Sequence, residues 1–152
     1  MPATYRYPLQ TLQDLRGAAL PALRIALADA ERRILDNEHD MASHRHSIRD
    51  AEGALRVGMA NGVLPVDQHR VARLYLDHLQ RMLAQLAMDA IALQSDKEEC
   101  MAALGQARSA LRMLELHHAR LAAEHAINEA RCQQRELDDS WLGRVARRGG
   151  AQ

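Results

Sequence analysis

From Leu76 to Leu121 the chain carries a seam of positions separated alternately by three and four residues: Leu76, Leu79, Leu83, Leu86, Ala90, Leu93, Lys97, Cys100, Leu104, Ala107, Leu111, Leu114, His118 and Leu121. Twelve of these fourteen are apolar. A repeat of 3.5 residues stays on one side of a slightly under-wound α-helix, and such a seam is buried only against a second helix with a matching seam. The pattern therefore predicts either a partner helix within the chain or a dimer.

The first third of the chain supplies a candidate partner. Leu20, Leu27, Ile34, Met41, Ile48 and Leu55 recur at one heptad position, and Leu23, Ala30, Asn37, His44, Ala51 and Gly58 at the other. Asn37 and His44 interrupt the apolar series in its middle, where a polar seam residue fixes register at some cost in stability. Between the two seams lies Asn61-Gly62-Val63-Leu64-Pro65. Gly62 suits the left-handed conformation that ends a helix, Pro65 suits a first helical turn, and Asp67 lies near the positive end of the helix that follows. These signals predict a corner at which the chain folds back.

If it does so, antiparallel seams pair one heptad position with the other, and residue numbers adding to 127 achieve this along the first helix. The register sets Ala51 against Leu76, Ile48 against Leu79, Met41 against Leu86, Asn37 against Ala90, Ile34 against Leu93, Leu23 against Leu104 and Leu20 against Ala107. Several of these layers match a large side chain with a small one, which favours this register over those displaced by a heptad.

The expected fold is all-α: an elongated antiparallel two-helix coiled-coil hairpin whose C-terminal helix is the longer. We expect a single rod, with helix 1 over about 8–59, a turn over about 60–65, helix 2 over about 66–141 and a basic, frayed tail over 142–152. Pro8 fits a first helical turn, and Leu9, Leu12, Leu15 and Ala19 follow at helical spacing. Gly17 and Pro21 predict a kink near 17–21, because proline removes a hydrogen bond and biases the preceding residue away from helical geometry. Past Leu121 the seam positions become His125, Asn128, Cys132 and Arg135, yet no Gly or Pro occurs from Ala122 to Asp139. Helix 2 is thus expected to outrun its partner and to span on the order of 110 Å from Val66 to Ser140 at helical rise.

Composition narrows the function. Phe is absent, Tyr numbers three and Trp one, and the 20 basic residues balance the 20 acidic ones, so no net field draws the chain to nucleic acid or anionic lipid. No apolar run approaches the roughly 20 residues of a membrane span, and the N-terminus lacks the apolar core of a secretory signal, which together predict a cytoplasmic protein. Cys100 and Cys132 are 32 residues apart on one expected helix, about 48 Å at helical rise, too far to bond to each other. No Gly-rich phosphate loop or nucleophile elbow occurs, and two helices offer no pocket that excludes water, so no enzyme, catalytic residue or cofactor is expected. His117, His118 and His125 are clustered in sequence, but His118 and His125 are seven residues apart, roughly 10 Å along a helix, so solvated or seam histidines are expected rather than a metal site. Arg144, Arg147 and Arg148 lack a stacking platform beyond Trp141, which argues against nucleic acid.

The two ends carry a resemblance. Tyr5-Arg6-Tyr7-Pro8-Leu9-Gln10-Thr11-Leu12-Gln13-Asp14-Leu15-Arg16 resembles the opening of FliJ-type proteins, in which two alternating aromatics precede a leucine-spaced run ending in a basic residue. Glu129 to Asp139, above all Gln134-Arg135-Glu136-Leu137-Asp138-Asp139, is similar to their charged C-terminal helix. The family, with its flagellar FliJ and injectisome YscO members, implies a non-enzymatic role in bacterial type III export. It implies a stalk whose terminal end enters a hexameric export ATPase and which also contacts the membrane export gate and, in some members, substrate chaperones. The implied location is cytoplasmic, peripheral to the inner-membrane export apparatus. Mapped onto this chain, the resemblance implies ring contacts at Tyr5, Tyr7, Leu9, Leu12, Leu15, Arg16, Arg131, Arg135, Glu136, Leu137 and Asp138. The alternative is a coiled-coil scaffold or dimerising adaptor with no ATPase partner. Flagellar and injectisome systems are both open at this point, as are the monomeric hairpin and the homodimer.

Overall fold

A computed structural model describes residues 5–149. They form two helices, α1 over Gln10–Ala60 and α2 over Val66–Gly149, which pack against each other in antiparallel fashion, with no strand among the described residues. The helical content follows from a sequence rich in Ala, Leu, Arg, Glu and Gln and poor in β-branched residues, and α2 is the longer because the corner lies at Gly62.

The corner is a glycine-terminated helix end. Gly62 has φ of 63°, the one positive φ among the described residues. Its amide donates to the carbonyl of Met59 at 3.2 Å, and the amide of Val63 donates to that of Gly58 at 3.3 Å. This pair of bonds is the Schellman arrangement, and it satisfies two carbonyls that the end of α1 would otherwise leave open. The missing Cβ of Gly58 also matters, since one built there would lie 3.1 Å from Leu64 Cδ1. α2 then starts with Asp67 in its first turn, where a carboxylate meets the positive end of the helix. We expect Gly62→Ala to lower stability by about 1 kcal/mol, because an L-residue is strained at this φ; a urea titration measures the loss.

By proximity of residues the described chain divides into two packing units, one of residues 21–105 and one of residues 5–20 with 106–149. The first unit contains the corner. Within it every expected seam position of both helices is buried or half-buried, including Leu76, Leu79 and Leu104 on α2 and Ala30 on α1. Cross-helix bonds report the register directly. Lys97 Nζ lies 3.6 Å from Glu31 and Arg33 lies 3.5 Å from Asp96, pairs whose numbers add to 128 and 129 against the expected 127. Lys97 thus occupies a seam position by running its stem outward to a carboxylate at the edge. Asn37, buried, donates through Nδ2 to the Leu86 carbonyl at 3.2 Å, crossing between helices. The Asn37 Oδ1 is buried without a partner, so this polar residue in the seam carries a cost in stability. His44 instead turns back on its own helix, its Nδ1–H donating to the Asp40 carbonyl at 2.9 Å.

The second unit pairs the start of α1 with the later part of α2. Here the structure gives the bounds of the elements more finely. α1 begins at Gln10, after a turn at Pro8 and Leu9. It then runs through Pro21 with no break. Pro21 is exposed, so its ring is accommodated at the surface and water can serve the Gly17 carbonyl that its missing N–H leaves unpaired. Packing of Leu20 and Ala30 on either side offsets that lost bond. Residues 142–149, expected as a frayed tail, continue α2 as helix, with Arg147 and Arg148 in the last turn where cations meet the negative helix end.

Candidate functional site

The second unit holds all the residues singled out for partner contact, and it divides them into two kinds. The first kind is committed within the chain. Tyr7 precedes α1 and is buried, 3% exposed, against α2. Its ring stacks on that of His118 with centroids 4.3 Å apart and planes within 4°, and it lies 5.7 Å from that of His117. The Tyr7 hydroxyl is 2.8 Å from His117 Nδ1 and 3.4 Å from the Leu114 carbonyl. Both contacts are made at once when His117 donates to the hydroxyl and the hydroxyl donates to the carbonyl, since the carbonyl only accepts. Tyr5 lies 6.1 Å from the His118 ring and 5.1 Å from that of His125, so tyrosines and histidines alternate along the contact. His118 also donates from Nδ1 to Gln13 Oε1 at 3.2 Å. Tyr7 is therefore an anchor that fixes the N-terminal segment on α2 and is not a surface presented to a partner.

The clasp gives His117, His118 and His125 ring partners within the chain. His125 has only Glu129 as an acidic neighbour, at 3.9 Å, and among the described residues no group of three or more His, Cys, Asp or Glu is placed to hold an ion. We expect Tyr7→Phe, which keeps the stack and removes the hydroxyl, to cost about 1 kcal/mol. Tyr7→Ala, which removes both, should cost about 3 kcal/mol. Thermal unfolding followed by circular dichroism separates the two.

The second kind is exposed. Leu9, Leu12 and Leu15 are 38, 39 and 68% exposed, and Arg16 is exposed beside them. The seam at this end of α1 runs instead through Leu20, Gly17, Gln13 and Gln10, all half-buried or buried. The leucines thus form a separate, outward stripe at the start of α1. On α2, Ala130 to Leu142 is exposed at every position, including Arg131, Arg135, Glu136, Leu137 and Asp138. The last residue covered before this stretch is Glu129, beside His125, whose ring meets that of Tyr5. From there to Gly149 a helix of about five and a half turns continues without α1 opposite it.

A helix pair with a clasped N-terminus and a single-helix extension defines the chain as an all-α hairpin coiled coil. The chain belongs to the FliJ family: the family model described as "Flagellar FliJ protein" matches residues 5–150. That family is a structural, non-enzymatic component of the cytoplasmic flagellar export apparatus, and the chain is accordingly a flagellar export-related protein with partners in that apparatus. No curated protein and no solved structure matches the chain. No helix among the described residues is long and apolar enough to cross a membrane.

Proposed function

We propose that this protein is the central stalk of the flagellar export apparatus, and that it inserts its terminal end into the hexameric export ATPase and couples that ring to the membrane export gate. The observation that carries the reading is the uncovered helix from Ala130 to Gly149, and the exposed Leu9, Leu12 and Leu15 belong to the same packing unit. An isolated helix of this length is marginal in water, and it gains no burial from α1. The interior of a ring supplies what the chain itself does not. Arg131, Arg135, Glu136 and Asp138 would meet polar groups on the ring wall, and Leu9, Leu12, Leu15, Arg16 and Leu137 would supply the remaining contact. Tyr5 and Tyr7 would hold the two ends together as one tip. A contact of this composition is sensitive to ionic strength. Substrate chaperones are further partners under this reading.

The test is co-elution with the cognate export ATPase and the rate of ATP hydrolysis with and without this protein. Stimulation that weakens as salt rises supports the stalk. An unchanged rate with no co-elution at low salt overturns it.

A further inference from the structure

The later part of α2, from Leu116 on, carries a second heptad pattern, on the side opposite the seam that faces α1. Leu116, Ala123, Ala130 and Leu137 recur every seven residues, and Arg120, Ile127, Gln134 and Trp141 recur four residues after each. All eight are exposed, the large ones strongly so: Leu116 55%, Ile127 53%, Leu137 66% and Trp141 61%. A helix needs only one apolar seam to pack against α1, so this second seam is unexplained by the fold.

We propose that this face pairs with the same face of a second copy, antiparallel. Placing one heptad series against the other in a two-fold pair gives residue numbers that add to 257, and the layers are then Leu116 with Trp141, Arg120 with Leu137, Ala123 with Gln134 and Ile127 with Ala130, each occurring twice. Large side chains meet small or flexible ones, and the arginine stem lies along a leucine while its head reaches water. Charge selects this arrangement. The residues flanking the seam on one side are Glu124, Arg131 and Asp138, and the same register pairs them at numbers adding to 255. Glu124 of each copy then faces Arg131 of the other, and Asp138 faces the exposed His117. The other flank holds Ala119, Ala126, Gln133 and Ser140, which carry no charge. Shifting the pair by one heptad sets Arg131 against Arg131 and Glu124 against Asp138, so the alternative is repelled. Within one copy Glu124 is held by Arg120 at 3.0 Å, while Arg131 has no ion pair among the described residues and is open to the second copy. A segment paired in this way is not a lone helix, so pairing would compete with any partner that takes the same segment.

The chain alone tests this. Trp141 is the single tryptophan and faces Leu116 of the second copy, so its emission should shift to shorter wavelength as concentration rises, in step with a monomer–dimer equilibrium in sedimentation. Glu124→Arg and Arg131→Glu should each weaken self-association about ten-fold at low salt, because each sets like charges opposite one another twice. Mixing the two variants should restore association, since every flanking pair between them is then of opposite charge. A chain that stays monomeric at every concentration overturns the proposal, as does a dimer that neither substitution weakens or whose weakened association is not recovered on mixing. Helical circular dichroism of each variant shows that the fold is retained.

Discussion

Removing residues 130–152 is expected to abolish stimulation of the export ATPase while leaving the melting temperature within about 2 °C of the full chain. The reason lies in where burial stops. Every position from Ala130 to Leu142 is exposed, whereas His125 still meets Tyr5 and Glu129 lies half-buried beside His125. A cut after Glu129 therefore spares the clasp. Helix that packs on nothing contributes little to global stability, because nucleation and fraying nearly cancel its hydrogen bonds. Loss of stability in parallel with loss of stimulation would make the extension part of the fold. Stimulation that survives the cut would place the ring contact elsewhere.

Leu104→Asp is expected to cost about 3–5 kcal/mol, while Leu35→Asp should stay within about 0.5 kcal/mol. Leu104 is 5% exposed and its register partner is Leu23, so a carboxylate there loses water without gaining a cation. Leu35 is 64% exposed, one residue from a seam position but on the outer surface of α1. For a chain of this size the buried change corresponds to a fall of about 10–15 °C in Tm. The two leucines differ only in heptad position, so comparable losses at both would refute the register.

That register was legible in the sequence because a two-helix pair has only one seam per helix and the period is fixed by geometry. Leu76 to Leu121 states it, and Gly62 states where the chain must turn, since only glycine sits there without strain. The covered face at the start of α1 is less legible, for a physical reason. Leu9, Leu12 and Leu15 are apolar and helically spaced, but a helix end is not obliged to bury its apolar face. Counting heptads back from Leu20 gives Arg16, Gln13 and Leu9, whereas the covered positions are Gly17, Gln13 and Gln10, so the seam departs from strict heptad spacing before Leu20. Pro21 breaks isolated helices, yet its exposed position and the packing on both sides keep α1 continuous. The Tyr7 clasp joins residues 110 apart through a segment that precedes the helix, where heptad counting no longer applies. Two tyrosines before α1 and three histidines on α2 were both visible, but their pairing required coordinates.

The most direct test of the stalk reading uses the native Cys132, exposed on the uncovered part of α2. With Cys100→Ala removing the half-buried second thiol, a photo-reactive group attached to Cys132 is irradiated in the presence of the assembled export ATPase. The account predicts a cross-link to the ATPase, formed only with the assembled ring and lost at high salt. A cross-link to other partners with none to the ring would contradict it.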